Sequence, residues 1–220
     1  KNINVVNVGD DLTWSQNLIN CLKNVSQDYV LLWLDDVFLT SKVDIDRIIE
    51  DFNWVVKNEI SYLRLRRADQ KKAKSNYSKL SSDSTYRTSI FCSIWKKDVL
   101  ESLLEPEENP WQFELRGSRR SIAFENFYQV NEDRVRYLHA IEKGKWNLRA
   151  IRWMKKNKLN YDHEYREVMS VIEYLKYLLN SFKGFFLDHL SPKNKKLIMA
   201  ITKKFYIKMG LRQKNYYDNF

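Results

Sequence analysis

Apolar and polar positions alternate in short blocks over the first two thirds of the chain. Residues 3–9 alternate weakly, as a strand does. Trp14, Leu18, Leu22 and Val25 then recur at helical spacing, with Asp11 or Thr13 as the N-cap. The unbroken run Tyr29-Val30-Leu31-Leu32-Trp33-Leu34 predicts a central strand buried on both faces. A strand–helix–strand unit results. Residues 43–57 predict a helix with Ile45, Ile48, Ile49, Phe52 and Val56 on its inner side, and 60–65 another strand. The pattern collapses into Lys, Ser, Asp, Asn and Gln from Arg66 to Thr85, which reads as a polar loop or as a lid over an anionic substrate. Strand 88–95, helix 97–104 and a last strand at 135–141 follow, the last turning at 143–146.

Beyond about residue 150 the pattern becomes helical. Val168, Val171, Ile172, Leu175, Leu178, Leu179 and Phe182 form one apolar stripe. Ser191-Pro192 opens a second helix bearing Leu197, Ile198, Ile201, Phe205 and Met209. The expected fold class is α/β: a mixed, Rossmann-like sheet with flanking helices in residues 1–150, then a helical, basic C-terminal extension over 151–220.

Composition narrows the choices. Hydrophobic residues make up 44% of the chain, and five glycines and three prolines exclude fibrous or low-complexity architecture. No run approaches the roughly 20 apolar residues that span a bilayer, and the first residues lack the pattern of a signal peptide. The chain does not begin with Met and reads as a processed or truncated product. Cys21 and Cys92 lie far apart, outside any Cys-x-x-Cys pair, and read as buried free thiols of a reducing cytoplasm. The net charge is +10, and residues 193–214 hold eight Lys or Arg and no acid. The body is therefore nearly neutral and the tail strongly basic.

The apolar run ends in Asp35-Asp36. Adjacent aspartates after a strand can cap a turn. They can also hold a divalent cation through hard oxygen ligands, at the strand ends where open α/β sheets bind ligands. Pro110-Trp111-Gln112-Phe113-Glu114 places an acid beside large rings, which can raise a carboxyl pKa toward that of a general base. Arg116, Arg119 and Arg120 follow, suited either to phosphate oxygens or to a solvated turn. Trp111 and Phe113 are candidates for core anchors or for stacking on a sugar face. Glu107 and Glu108 compete with Glu114 for the role of base, although a charged loop would leave them solvated. His139 on its apolar strand fits a hydrogen-bonded structural residue as well as a ligand.

Trp14-Ser15, Leu34-Asp35-Asp36-Val37-Phe38-Leu39, Ser93-Ile94-Trp95-Lys96 and Pro110-Trp111-Gln112-Phe113-Glu114 with Gly117-Ser118 resemble the nucleotide-sugar-dependent glycosyltransferases of the GT-A fold. The likeness is particularly to bacterial enzymes of capsule and lipopolysaccharide assembly, over roughly residues 1–150. The resemblance implies that Asp35 and Asp36 hold Mn²⁺ or Mg²⁺ against the donor diphosphate, here as Asp-Asp where the family has Asp-x-Asp. It implies His139 as a further metal ligand and Glu114 as the base that deprotonates an acceptor hydroxyl, with inversion at the anomeric carbon. Arg116, Arg119 and Arg120 would face the diphosphate. The partners implied are a nucleotide-sugar donor and a glycan or lipid-linked glycan acceptor, handled at the inner face of the cytoplasmic membrane.

The helix after Pro192 is basic and amphipathic, which suits anionic headgroups or simple packing on the domain. A nucleic-acid-binding module would use the same charge with interleaved Tyr and Trp, but no recognised nucleic-acid motif occurs and no nucleic acid is expected as partner. A metal-dependent phosphoesterase would use the same acids, and would want more carboxylates or histidines than this chain supplies.

Overall fold

Residues 3–67, 75–84 and 86–188 are described by a computed structural model. The protein is mixed α/β, and the chain divides into two compact units, Lys1–Glu142 and Lys143–Phe220.

In the first unit, helix α1 (Trp14–Leu22) starts where the sequence places it, with the Thr13 side chain accepting from the backbone N–H of Gln16. Strands β1 (Tyr29–Leu32), β3 (Tyr62–Arg64), β4 (Tyr77–Lys79), β5 (Ser93–Lys96) and β6 (Phe127–Val130) form one sheet in the order β1-β5-β3-β6-β4. β5 runs antiparallel to both β1 and β3, whereas β3 and β6 are parallel. β1 and β3 therefore point the same way with β5 inserted between them. β2 (Val37–Leu39) leaves this sheet and pairs with β7 (Tyr137–His139).

Side-chain alternation divides the core between the two faces of the sheet. Tyr62, Trp95 and Phe127 enter one cluster with α1, Phe113 and helix α3 (Lys97–Leu103). Leu63, Ile94 and Val130 enter the other, with Val55 of helix α2 (Ile45–Lys57) and Phe91. Tyr62, Trp95 and Phe127 also pack ring to ring, with centroids 4.4 to 6.0 Å apart.

Three expectations from the pattern do not hold. Residues 3–9 are not a strand, and Ile3 and Val5 stand in solvent. β1 is a sheet edge and not a central strand, so Leu31 is 48% exposed. On α2 the stripe Ile45, Ile49, Phe52 and Val56 is exposed, and Asp51 and Val55 are buried in its place. An acid can occupy that core position because Arg134 donates to both its oxygens, at 2.6 and 3.2 Å, and the Tyr77 hydroxyl donates at 2.8 Å. The polar stretch after Arg66 yields β4; residues 68–74 and 85, and any lid they form, lie outside the described residues. Both cysteines are free, Cys92 buried and Cys21 half-buried.

β8 (Ile141–Glu142) is the last strand of the first unit, and the second unit contains β9 (Lys145–Trp146), α6 (Leu148–Lys156) and α7 (Val171–Asp188). Asn147 caps α6. Among the described residues no helix is long and apolar enough to cross a membrane. The basic helix expected after Pro192 lies outside them.

Candidate functional site

Asp35 and Asp36 occupy the turn between β1 and β2, closed by the backbone N–H of Val37 donating to the Leu34 carbonyl at 3.3 Å. The turn role and the position for a metal ligand coincide. Asp35 is exposed and Asp36 half-buried.

What fixes Asp36 is the ladder between β2 and β7. Val37 faces His139 across it, and the Ala140 N–H donates to the Asp36 carbonyl at 2.8 Å. The backbones of two residues about a hundred positions apart, both expected as ligands, thereby lie on adjacent rungs of one ladder. His139 presents an exposed edge, and its ring lies 5.5 Å from that of Tyr137 and 6.3 Å from that of Phe91. Burial among these groups pulls the imidazole pKa below its ordinary value; Asp36 opposes this and Arg66 adds to it. The Asp36 charge acts on the His139 ring, and a carboxylate and an imidazole together offer oxygen and nitrogen donors to a divalent metal ion.

Arg66 completes this corner. Its guanidinium carbon lies 4.9 Å from the Phe91 ring and 5.1 Å from the Tyr137 ring, and it donates to the Tyr137 hydroxyl. Its buried Nε has no hydrogen-bond partner among the described residues. The guanidinium thus lies against two rings that themselves pack 4.7 Å apart, and such a group suits phosphate oxygens. Reasoning from sequence did not single out Arg66 or Tyr137. The available signal was period two on β7, which puts Tyr137 on the same face as His139.

Glu114 belongs to an irregular helical stretch. The short helix α4 (Pro110–Gln112), capped by Asn109 with reciprocal Gln112 bonds, passes into a π-helical turn (Phe113–Gly117) and then α5 (Ser118–Arg120). π-turns inside helices occur frequently at functional sites. Phe113 is fully buried against Trp14 and Trp95, the core reading of that residue, whereas Trp111 is 58% exposed. The two aromatics thus separate: one anchors and one faces solvent. A Cβ at Gly117 would lie 3.3 Å from the Phe113 ring, which would have to give by a few tenths of an ångström to admit it.

Glu114 Oε1 accepts from the Ile90 N–H at 3.2 Å, and Ser118 Oγ accepts from the Thr88 N–H at 3.0 Å. Segment 88–91 is therefore clamped to the Glu114 helix, and its last residue, Phe91, packs on Arg66 and His139. This segment joins the acid of the helix to the Asp36–His139 corner.

The arginines divide. Arg120 donates to both oxygens of Glu108, at 2.9 and 2.5 Å, and to the Leu103 carbonyl. Glu108 is 3% exposed, not solvated as its loop suggested. That ion pair ties the loop to α5, and the Ser15 N–H donating to the Glu108 carbonyl ties it to α1. Arg116 is half-buried and Arg119 exposed.

Comparison with protein-family models, with curated proteins and with solved structures gives no match to this chain.

Proposed function

We propose that the first unit is a metal-dependent glycosyltransferase domain of GT-A type, moving a sugar from a nucleotide-sugar donor to a hydroxyl of a glycan or lipid-linked glycan. The observation that carries this reading is the cross-strand neighbourhood of Asp36 and His139 at the end of the sheet edge strand.

Asp36 and His139, with the exposed Asp35 beside them, would hold Mn²⁺ or Mg²⁺. When bound, such a cation neutralises the charge that develops on a departing nucleoside diphosphate. Arg66 would take a diphosphate oxygen, and of the three later arginines Arg116 and Arg119 suit the same task better than Arg120, whose donors serve Glu108. Glu114, its one oxygen oriented by the Ile90 N–H, would accept the acceptor hydroxyl's proton through the other as that hydroxyl attacks the anomeric carbon. The leaving diphosphate would depart from the opposite face, giving inversion.

Titration of the protein with Mn²⁺, followed by loss of the free-ion paramagnetic resonance signal, tests the metal site. Asp36→Asn and His139→Gln are each expected to weaken binding at least about tenfold, the loss that even an outer-shell partner brings. Equal Mn²⁺ binding by the protein and both variants would refute the assignment.

A further inference from the structure

We infer that the second unit binds an anionic lipid surface, inserting the apolar stripe of α7 among the acyl chains while α6 supplies cations to the headgroups. This stands apart from the transferase reading, because vesicle binding can succeed or fail whatever the first unit catalyses.

The helix α7 begins with a reciprocal cap. The Ser170 N–H donates to Glu173 Oε2 at 2.8 Å, and the Glu173 N–H donates to Ser170 Oγ at 3.2 Å. Lys145 adds an ion pair to Glu173 at 3.0 Å. The first turn is thus pinned to β9, and what it presents to solvent is apolar. Val171, Ile172, Leu175 and Leu179 are exposed by 67, 67, 53 and 64%. At the 3.6-residue helical repeat they fall within about 100° of arc, one continuous stripe. Four large aliphatic side chains exposed together on one helix are a contact surface and not scatter.

Charge decides what covers it. Residues 143–220 carry 18 Lys and Arg against 6 Asp and Glu, a net of +12, whereas residues 1–142 carry 20 against 22. Within the described part, Arg149, Arg152, Lys155 and Lys156 of α6 and the following Lys158 are all exposed. Lys155 and Lys158 also line an open pocket of about 410 Å³ with Tyr161 and His163. A second copy would match the apolar stripe but meet a like charge of +12. A nucleic acid would match the charge but not the stripe. An anionic bilayer surface takes both, as interfacial helices do.

The test is flotation of the full chain with large unilamellar vesicles of phosphatidylcholine alone, or with 30% phosphatidylglycerol. Binding is expected to the anionic vesicles only, and to fall at least tenfold in Leu175→Glu/Leu179→Glu and in Arg149→Glu/Arg152→Glu/Lys155→Glu. Circular dichroism checks that both variants stay folded; should the first lose helicity, Leu175→Gln/Leu179→Gln replaces it. Absence of binding to anionic vesicles, or binding that the stripe variant leaves unchanged, would overturn the inference. So would a concentration-dependent dimer that the stripe variant abolishes, or duplex RNA binding that outcompetes the vesicles and survives that variant.

Discussion

Asp51→Asn is expected to destabilise the protein by about 3–5 kcal/mol, the usual consequence of removing one partner from a buried ion pair. Asp51 is fully buried and the Arg134 side chain is 4% exposed, so water cannot take over the lost interaction. Asn retains the shape and one acceptor for Tyr77, but it leaves the guanidinium without a counter-charge. Replacing both partners by apolar residues, Asp51→Leu with Arg134→Met, should recover most of the loss, since the charges themselves are costly to bury. Alkali provides a second readout. Burial, and then the Asp51 hydrogen bond, push the Tyr77 phenol up to about 12 from its ordinary 10.0. A raised folded-state pKa gives stability that is complete below pH 10 and is lost as pH rises toward 12. In Asp51→Asn this part of the alkaline slope becomes shallower. Urea unfolding at pH 7 and at a series of values from 9 to 12 measures both effects; an Asp51→Asn loss under 1 kcal/mol would show that the pair is not a structural anchor.

On the transferase reading proposed above, Glu114→Gln is expected to lower glycosyl transfer by about 10²–10⁴, the range that a positioned base contributes. Gln preserves the acceptor for the Ile90 N–H, so the π-helical turn and the clamp on segment 88–91 stay in place. The loss therefore falls on turnover, with nucleotide affinity unchanged. Release of nucleoside diphosphate in the presence of acceptor measures it. Full turnover in Glu114→Gln would remove this residue from the chemistry and leave Glu108, buried against Arg120, poorly suited to replace it.

The elements that were legible from sequence are those whose signal is local. Thr13 capping α1, the alternation of Tyr62 and Leu63 on β3, and the short helix after Lys96 depend on neighbours within a turn or a strand. The inner face of α2 was not legible, because Asp51 is admitted to the core by Arg134, 83 positions away. Hydropathy periodicity cannot register a charge neutralised at such a distance. β1 shows the converse: its apolar run promised burial on both faces, whereas among the described residues it pairs only with β5. At the site, Asp36, His139 and Glu114 were each recognisable as chemistry-bearing residues. That Asp36 and His139 come to adjacent rungs depends on the register of β2 against β7, and the place of Arg66 on rings from two other segments. Such pairings follow from tertiary packing and leave no local mark.

The most direct test of a metal-dependent transferase site at Asp36 is calorimetric titration of UDP and of GDP into the protein, with and without Mn²⁺, repeated on Asp36→Ala. Binding of one nucleotide that requires Mn²⁺ and disappears in Asp36→Ala is the expected result, and it would also identify the donor's base. Folded protein that binds neither nucleotide, or binds one equally well without metal and in the variant, would contradict the assignment.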